Sequence, residues 1–247
     1  MKPFHFLGIC LIVARSSIPV FGAETTNTPI FPPGSNSTVV PVPHTGTGPE
    51  KDFQNKMNRF GGKHFDIIFD GDSIMNRWET TGKDVWNRRY AGIAADFGIE
   101  GDHVENVLWR VEHGQADGID PKVIVLMIGT NNSGRNSADE IAEGIKYLVV
   151  EYEKRCPHAH IILMGIFPRG EKPTDGGRRK VAAVNSLIKN LDDGQRVTFI
   201  DISAQLTGPG DVISRDMMPD FVHPTAKGYQ IWADAIQPVI NKYIPSK

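Results

Sequence analysis

From about residue 51 onward, short apolar runs alternate with longer stretches whose apolar residues recur at helical spacing. Residues 65–69, 94–97, 123–128, 161–167 and 197–200 are short, largely β-branched and bounded by Gly, Asp, Asn or Pro, the marks of strands. Residues 103–112, 138–154, 178–191 and 226–240 fit helices. Ser137 stands three residues before Glu140, the spacing of a capping box, and Asp102 and Thr225 are the expected N-caps of their helices. Strands that are apolar throughout must be covered on both faces. The alternation therefore predicts an α/β chain: a three-layer α/β/α sandwich around a five-stranded parallel sheet. In such a sheet ligands bind beyond the carboxyl ends of the strands. That rule sorts the polar residues into a functional rim and a scaffolding edge.

The 247 residues suit one such domain with appendages. A net charge of -2 shows no basic excess, so nucleic acid is not an expected partner. No apolar run is long enough to span a bilayer. Lys2, the apolar run of residues 4–14 and the small residues around Gly22 and Ala23 read as an export signal over residues 1–23, although Arg15 interrupts the pattern. The other reading of this stretch is a buried N-terminal helix. Export would make the protein secreted or periplasmic. Cys10 lies inside the signal, so Cys156 would be the one cysteine left, expected to be a buried thiol in a protein with no internal disulfide. Residues 24–50 hold Pro29, Pro32, Pro33, Pro41, Pro43 and Pro49 among Thr, Ser, Asn and Gly and read as a disordered tether. The folded domain is expected over 51–247.

The strand ends present a consistent set of groups. Asp70-Gly71-Asp72-Ser73 follows the first strand, Gly98-Ile99-Glu100-Gly101 the second and Gly129-Thr130-Asn131-Asn132 the third. Pro168-Arg169-Gly170-Glu171-Lys172-Pro173 follows the fourth, and residues 216–223 lie beyond the fifth. Among the histidines, His5 falls in the signal, His44 in the tether, and His64, His113, His158 and His160 at the scaffolding edge. Only His103 and His223 remain near the rim. His223 has Asp220 three residues before it, close enough for the carboxylate to hold one ring nitrogen while the other takes a proton from a serine. His103 lacks so well spaced an acid and is expected only to start a helix. Taken singly, Gly-Asp-Ser is a common turn and Gly-Thr-Asn-Asn a common loop. Their combination, in chain order and each at a strand end, is far more restrictive. Nothing in the chain suggests a metal cluster or a phosphate-binding loop, so no cofactor is expected.

That combination resembles the SGNH (GDSL-type) hydrolase family over residues 60–242, which implies a flavodoxin-like fold. By the resemblance, Ser73 in Gly71-Asp72-Ser73 is the nucleophile, and Asp220 and His223 are the closing acid and base. It further implies an oxyanion hole made by the N–H groups of Ser73 and Gly101 and the side chain of Asn131. Asn132 departs from the family, which often has Asp there. Residues 97–102, Val107-Leu108-Trp109-Arg110 and residues 168–173 are most similar to the catalytic subunits of the platelet-activating-factor acetylhydrolase branch. The resemblance implies a metal-free serine esterase for acetyl or other short acyl esters, with Ile74, Thr130 and Val222 walling the acyl group. Its substrate would be a small-molecule or glycan ester, acetylated carbohydrate first and a small lipid ester second. An acyltransferase and a non-catalytic glycan-binding module on the same scaffold stay open, as does the oligomeric state.

Overall fold

The computed structural model describes residues 35–245; the expected export signal and the first part of the expected tether lie outside the described residues. Five parallel strands form one sheet: β1 (Ile67–Gly71), β2 (Ala94–Asp96), β3 (Val123–Met127), β4 (His160–Met164) and β5 (Val197–Ile200), in the order β2-β1-β3-β4-β5. The helices are α1 (Thr47–Phe60), α2 (Ser73–Asn76), α3 (Lys83–Arg89), α4 (Val104–Arg110), α5 (Ala138–Arg155), α6 (Gly176–Ile188), α7 (Ser203–Leu206) and α8 (Ala226–Tyr243). The expected α/β/α sandwich is the observed one, with the flavodoxin-like strand order.

Period-two alternation along the strands divides the core. Ile68, Ile124, Leu126, Ile161 and Leu163 face α4, α5 and α6, whereas Ile67, Phe69, Val123, Val125 and Ile162 face α2, α3 and α8. The second face is aromatic: Trp78 is fully buried, with Tyr229 at 4.7 Å and Trp232 at 4.9 Å between ring centroids. Burying a large apolar side chain contributes about 1.5–3 kcal/mol. Trp78 thus pins the chain shortly after Ser73, and the Tyr229 hydroxyl adds a 2.6 Å hydrogen bond to the Ile74 carbonyl.

Strand β4 stops at Met164, short of the expected 167. Beyond Gly165 the Asn185 side chain takes the place of a neighbouring strand, accepting from the Ile166 N–H at 2.8 Å and donating to its carbonyl at 2.9 Å. The Ser137–Glu140 capping box opens α5 as expected, and Cys156 is buried and free. Thr225 is the N-cap of α8. Asp102 is not an N-cap: His103 holds that position on α4, its N–H donating to Asn106 Oδ1 at 2.9 Å, while Asp102 turns into the interior.

The tether expectation is corrected over its described part. Asn36 Nδ2 and Thr38 Oγ1 both donate to the Glu140 carbonyl, at 3.1 and 2.6 Å. The Val42 N–H donates to the Glu105 carbonyl at 3.2 Å, and Asn106 Nδ2 donates to the Val42 carbonyl at 2.9 Å. Residues 36–44 therefore form an arm fixed along α4 and the start of α5. Helix α1 follows and crosses the expected domain boundary at 51. Its described buried residues are Phe53, Lys56 and Phe60, too narrow a stripe to stand out from the polar sequence around it.

Candidate active site

The site lies where β1 separates β2 from β3, the point at which strand order reverses. Strand β1 ends at Gly71, and the Asp72 side chain caps α2 by accepting from the Ile74 N–H at 2.9 Å. Ser73 is then the first residue of that helix, 6% exposed, with Oγ 2.9 Å from His223 Nε2. Gly98 permits this turn to lie against the loop after β2: a Cβ there would stand 2.4 Å from the Asn76 nitrogen.

Burial pushes the Asp72 carboxyl up to about 7, because the surrounding protein disfavours its charge more than the Ile74 N–H favours it. The folded protein then binds a proton that the unfolded chain, with an ordinary value of 3.8, releases earlier. Its contribution is full below pH 4 and is lost as pH rises towards 7. Asp72→Asn keeps the cap and removes the ionisation, so urea unfolding should show it stabilised relative to the parent at pH 8 but not at pH 4. An equal difference at both pH values would contradict the assignment.

His223 is held from the other side. Its Nδ1 lies 2.6 Å from Asp220 Oδ2, while Asp220 Oδ1 accepts the His223 and Val222 N–H groups at 2.8 and 3.1 Å. This tight turn requires φ +60° at Phe221, a conformation a non-glycine residue rarely takes. The Gly170 N–H, donating to the Phe221 carbonyl at 2.9 Å, and Arg215 over the Phe221 ring at 4.6 Å brace it. Burial alone would raise the Asp220 carboxyl, but hydrogen bonds from the His223 backbone and ring and from the Val222 N–H outweigh it and hold it at about 2. Asp220 is therefore an anion beside the imidazole over the range in which an ester hydrolase would be assayed.

In the loops after β2 and β3, Gly101 has φ +80°, and Asn131 Nδ2 donates one hydrogen bond to the Asp102 carbonyl at 2.8 Å. Among the described residues the N–H groups of Ser73 and Gly101 have no partner in the protein. Both are donors free to accept a developing negative charge, as is the second N–H of the Asn131 amide. Asn132 is fully buried: its Oδ1 accepts from the Val104 N–H at 3.0 Å and its Nδ2 donates to Glu105 Oε2 at 3.0 Å. An Asp there would set a second carboxylate against Glu105, which explains Asn at this position.

Arg169, in the segment expected at the rim after β4, donates through Nη1 to the Thr130 carbonyl at 2.5 Å and Ser133 Oγ at 3.1 Å, tying the loops after β3 and β4 together. His44, assigned to the tether, reaches Asp102 at the rim. His103 starts α4 as expected, and burial and the nearby Arg135 push its imidazole down to about 4. Of the three residues expected to wall the acyl group, Ile74 and Thr130 are 1% and 2% exposed, and Val222 is partly exposed. Among the described residues no group of three or more His, Cys, Asp or Glu side chains could hold a metal ion.

Below the rim lies a buried network that local sequence did not announce. Arg110 Nη2 is 3.0 Å from Asp70 Oδ1 and its Nε 2.9 Å from Asp102 Oδ2, and Asp70 also accepts from Gln115, Tyr152 and the Gly71 N–H. All three charged side chains are at most 2% exposed.

The geometry agrees with what the chain is similar to. Residues 69–231 match the profile of the GDSL-like Lipase/Acylhydrolase family. The platelet-activating factor acetylhydrolase IB subunit alpha2 of Rattus norvegicus is 37% identical over 202 residues, 78% of this chain and 86% of that protein. The subunit beta homolog of Drosophila melanogaster is 35% identical over 199 residues, 78% of this chain and 87% of that protein. A GDSL-like lipase of Bacteroides thetaiotaomicron has the same fold, with a TM-score of 0.65 at 20% identity over 78% of this chain and 97% of its own. So does an acetylxylan esterase of Geobacillus stearothermophilus, with a TM-score of 0.59 at 21% identity over 76% and 98%. By its profile match and its relatives above one third identity, the chain belongs to the GDSL-like lipase/acylhydrolase family and is a carboxylic ester hydrolase.

Proposed function

We propose that the protein is a serine esterase that removes acetyl groups through an acyl-Ser73 intermediate. The observation that carries this reading is the aligned pair of contacts, Ser73 Oγ to His223 Nε2 at 2.9 Å and His223 Nδ1 to Asp220 Oδ2 at 2.6 Å. His223 Nε2 takes the Ser73 proton as Oγ attacks the ester carbonyl, and Asp220 stabilises the imidazolium that forms. The carbonyl oxygen gains its charge facing the N–H groups of Ser73 and Gly101 and the Asn131 amide, each such donor worth about 10²–10³ in kcat. The imidazolium then protonates the departing alcohol. Water, deprotonated by His223, attacks the acyl-serine, releases the acid and restores the free hydroxyl. A fluorophosphonate should inactivate the enzyme by forming a covalent bond to Ser73, located by peptide mapping. Labelling of another serine with Ser73 untouched would overturn the reading.

The sealed core behind Ser73 argues for a short acyl group. Ile74 and Thr130 are stiff β-branched residues with no accessible face, and Thr130 is held further by Arg169. They cannot swing aside for a longer chain, and forcing methylenes into packed surroundings costs about 1–3 kcal/mol. Accordingly kcat/KM should fall from p-nitrophenyl acetate to butyrate to octanoate, after correction for spontaneous hydrolysis. A maximum at octanoate would mean that the wall opens.

Two alcohol moieties have support. The names of the relatives above one third identity favour a small acetylated lipid. The export signal read from residues 1–23 favours acetylated carbohydrate met outside the cell. Docking of residues 36–44 on the domain shortens the tether and weakens the second argument. Acetate release from acetylated oligosaccharides against short-chain phospholipid acetates separates the two, and detection of the exported, shortened chain tests the location.

A further inference from the structure

The arm over residues 36–44 carries one side chain to the rim. His44 Nδ1 lies 2.7 Å from Asp102 Oδ1, and the same ring covers Gly101: a Cβ on that glycine would stand 3.2 Å from His44 Cε1. Gly101 and Asp102 are also where the Gly101 and Asn131 donor groups hang. The Gly101 N–H belongs to the Glu100–Gly101 peptide, one residue before Asp102, and the Asn131 amide is oriented by its 2.8 Å hydrogen bond to the Asp102 carbonyl. Asp102 is fully buried, and its carboxylate has two partners from different parts of the chain. Arg110, at 2.9 Å, comes from the helix that follows; His44 comes from 58 residues earlier.

Resting on the proposed acyl-Ser73 chemistry, we infer that His44 is a positioning residue for the oxyanion donors, and that the N-terminal arm is a working part of the active site. The loop from Gly98 to Asp102 needs an external brace. Its inner side is tied by the Ile99 N–H donating to the Gly71 carbonyl and the Asp102 N–H donating to the Ile99 carbonyl, both at 3.2 Å, and Arg77 Nε donates to the Glu100 carboxylate at 3.1 Å, whereas Gly101 is exposed and lies between these ties. The His44 ring supplies that contact on the outer face of Gly101 and fixes the Asp102 carboxylate on the inner one. Donors accelerate the reaction only if they are already aimed when charge develops. An N–H free to rock loses that advantage without losing the ability to bind a neutral ester. The arm is itself anchored well before His44, by Asn36 and Thr38 on the Glu140 carbonyl, and close to it by the paired bonds at Val42. It therefore arrives as a fixed strap.

The test is His44→Ala in the full chain, assayed on p-nitrophenyl acetate and for its rate of reaction with the fluorophosphonate. A misaimed donor should lower kcat about 10- to 100-fold, slow the phosphonylation rate by a similar factor and leave KM within about twofold. His44→Asn, whose amide places an N–H close to the Nδ1 position, should recover most of kcat. A residue that merely stabilises the fold would show no such rescue with KM unmoved. If His44→Ala does not fold, Asn36→Ala, which unfastens the far end of the arm without touching Asp102, should show the same kcat loss in smaller degree. Unchanged kcat and phosphonylation in the folded variants, with Ser73 the labelled residue, overturns the role of His44 alone. Labelling away from Ser73 in the parent protein overturns the acyl-Ser73 reading and this inference with it.

Discussion

Ser73→Ala should lower ester hydrolysis by about three orders of magnitude or more, and His223→Ala by nearly as much, because groups acting as a unit fail together. Neither change should unfold the protein. Ser73 sits at the first position of a four-residue helix at the rim, and His223 in a half-open loop. His103→Ala is the control. Its ring lies near the same rim and starts α4, so it should cost some stability and little of kcat. The double variant Ser73→Ala/His223→Ala should be scarcely worse than either single one. Comparable kcat losses for His103 and His223, or a fully additive double variant, would mean that the observed 2.9 Å contact is not the one that moves the proton.

Arg110→Ala should destabilise the protein by about 3–5 kcal/mol, the usual consequence of removing one partner from a buried ionic network. For a chain of this size that corresponds to roughly a 10 °C fall in Tm. Burial alone would weaken the charge on Arg110, but Asp70 and Asp102 hold its guanidinium more firmly protonated than usual. Its removal leaves two buried carboxylates without their shared guanidinium, Asp70 keeping only neutral partners such as Gln115 and Tyr152. Arg110→Lys retains the charge but not the fork that reaches both acids, and should fall between the two. Urea unfolding at neutral pH measures this directly. A loss below 1 kcal/mol would show that the two carboxylates find other partners. Because Asp102 also supports Gly101 and Asn131, the Lys variant should lose kcat even where it stays folded.

The sheet and the polar groups at its rim were legible in the chain itself. Each of the residues that now meet around Ser73 follows a strand directly or, like Asp220 and His223, forms its own local turn three residues long. A strand end places a side chain by local rules, since parallel strands all deliver their carboxyl ends to one edge. The pairing of Asp220 with His223 is likewise a short-range event, visible as spacing.

What supports those residues was decided elsewhere. His44 meets Asp102 across 58 positions, Arg110 meets Asp70 across 40 and Arg169 meets the Thr130 carbonyl across 39. Proline-rich composition signals little regular structure over residues 36–44, where the one element is the short 3-10 turn Ser37–Val39, but it is silent on whether neighbouring surfaces offer them hydrogen bonds. Helix α1 escaped notice for a related reason: only one narrow face is buried, and only the finished sheet supplies the surface that face covers. Nor could their β-branched side chains reveal that Ile74 and Thr130 would be buried while Val222 stays partly exposed. Local spacing specifies elements and the groups at their ends. Burial and long-range partners exist only once those elements have packed, so the burial of Ile74 and Thr130 and the contact of His44 with Asp102 belonged to the tertiary structure.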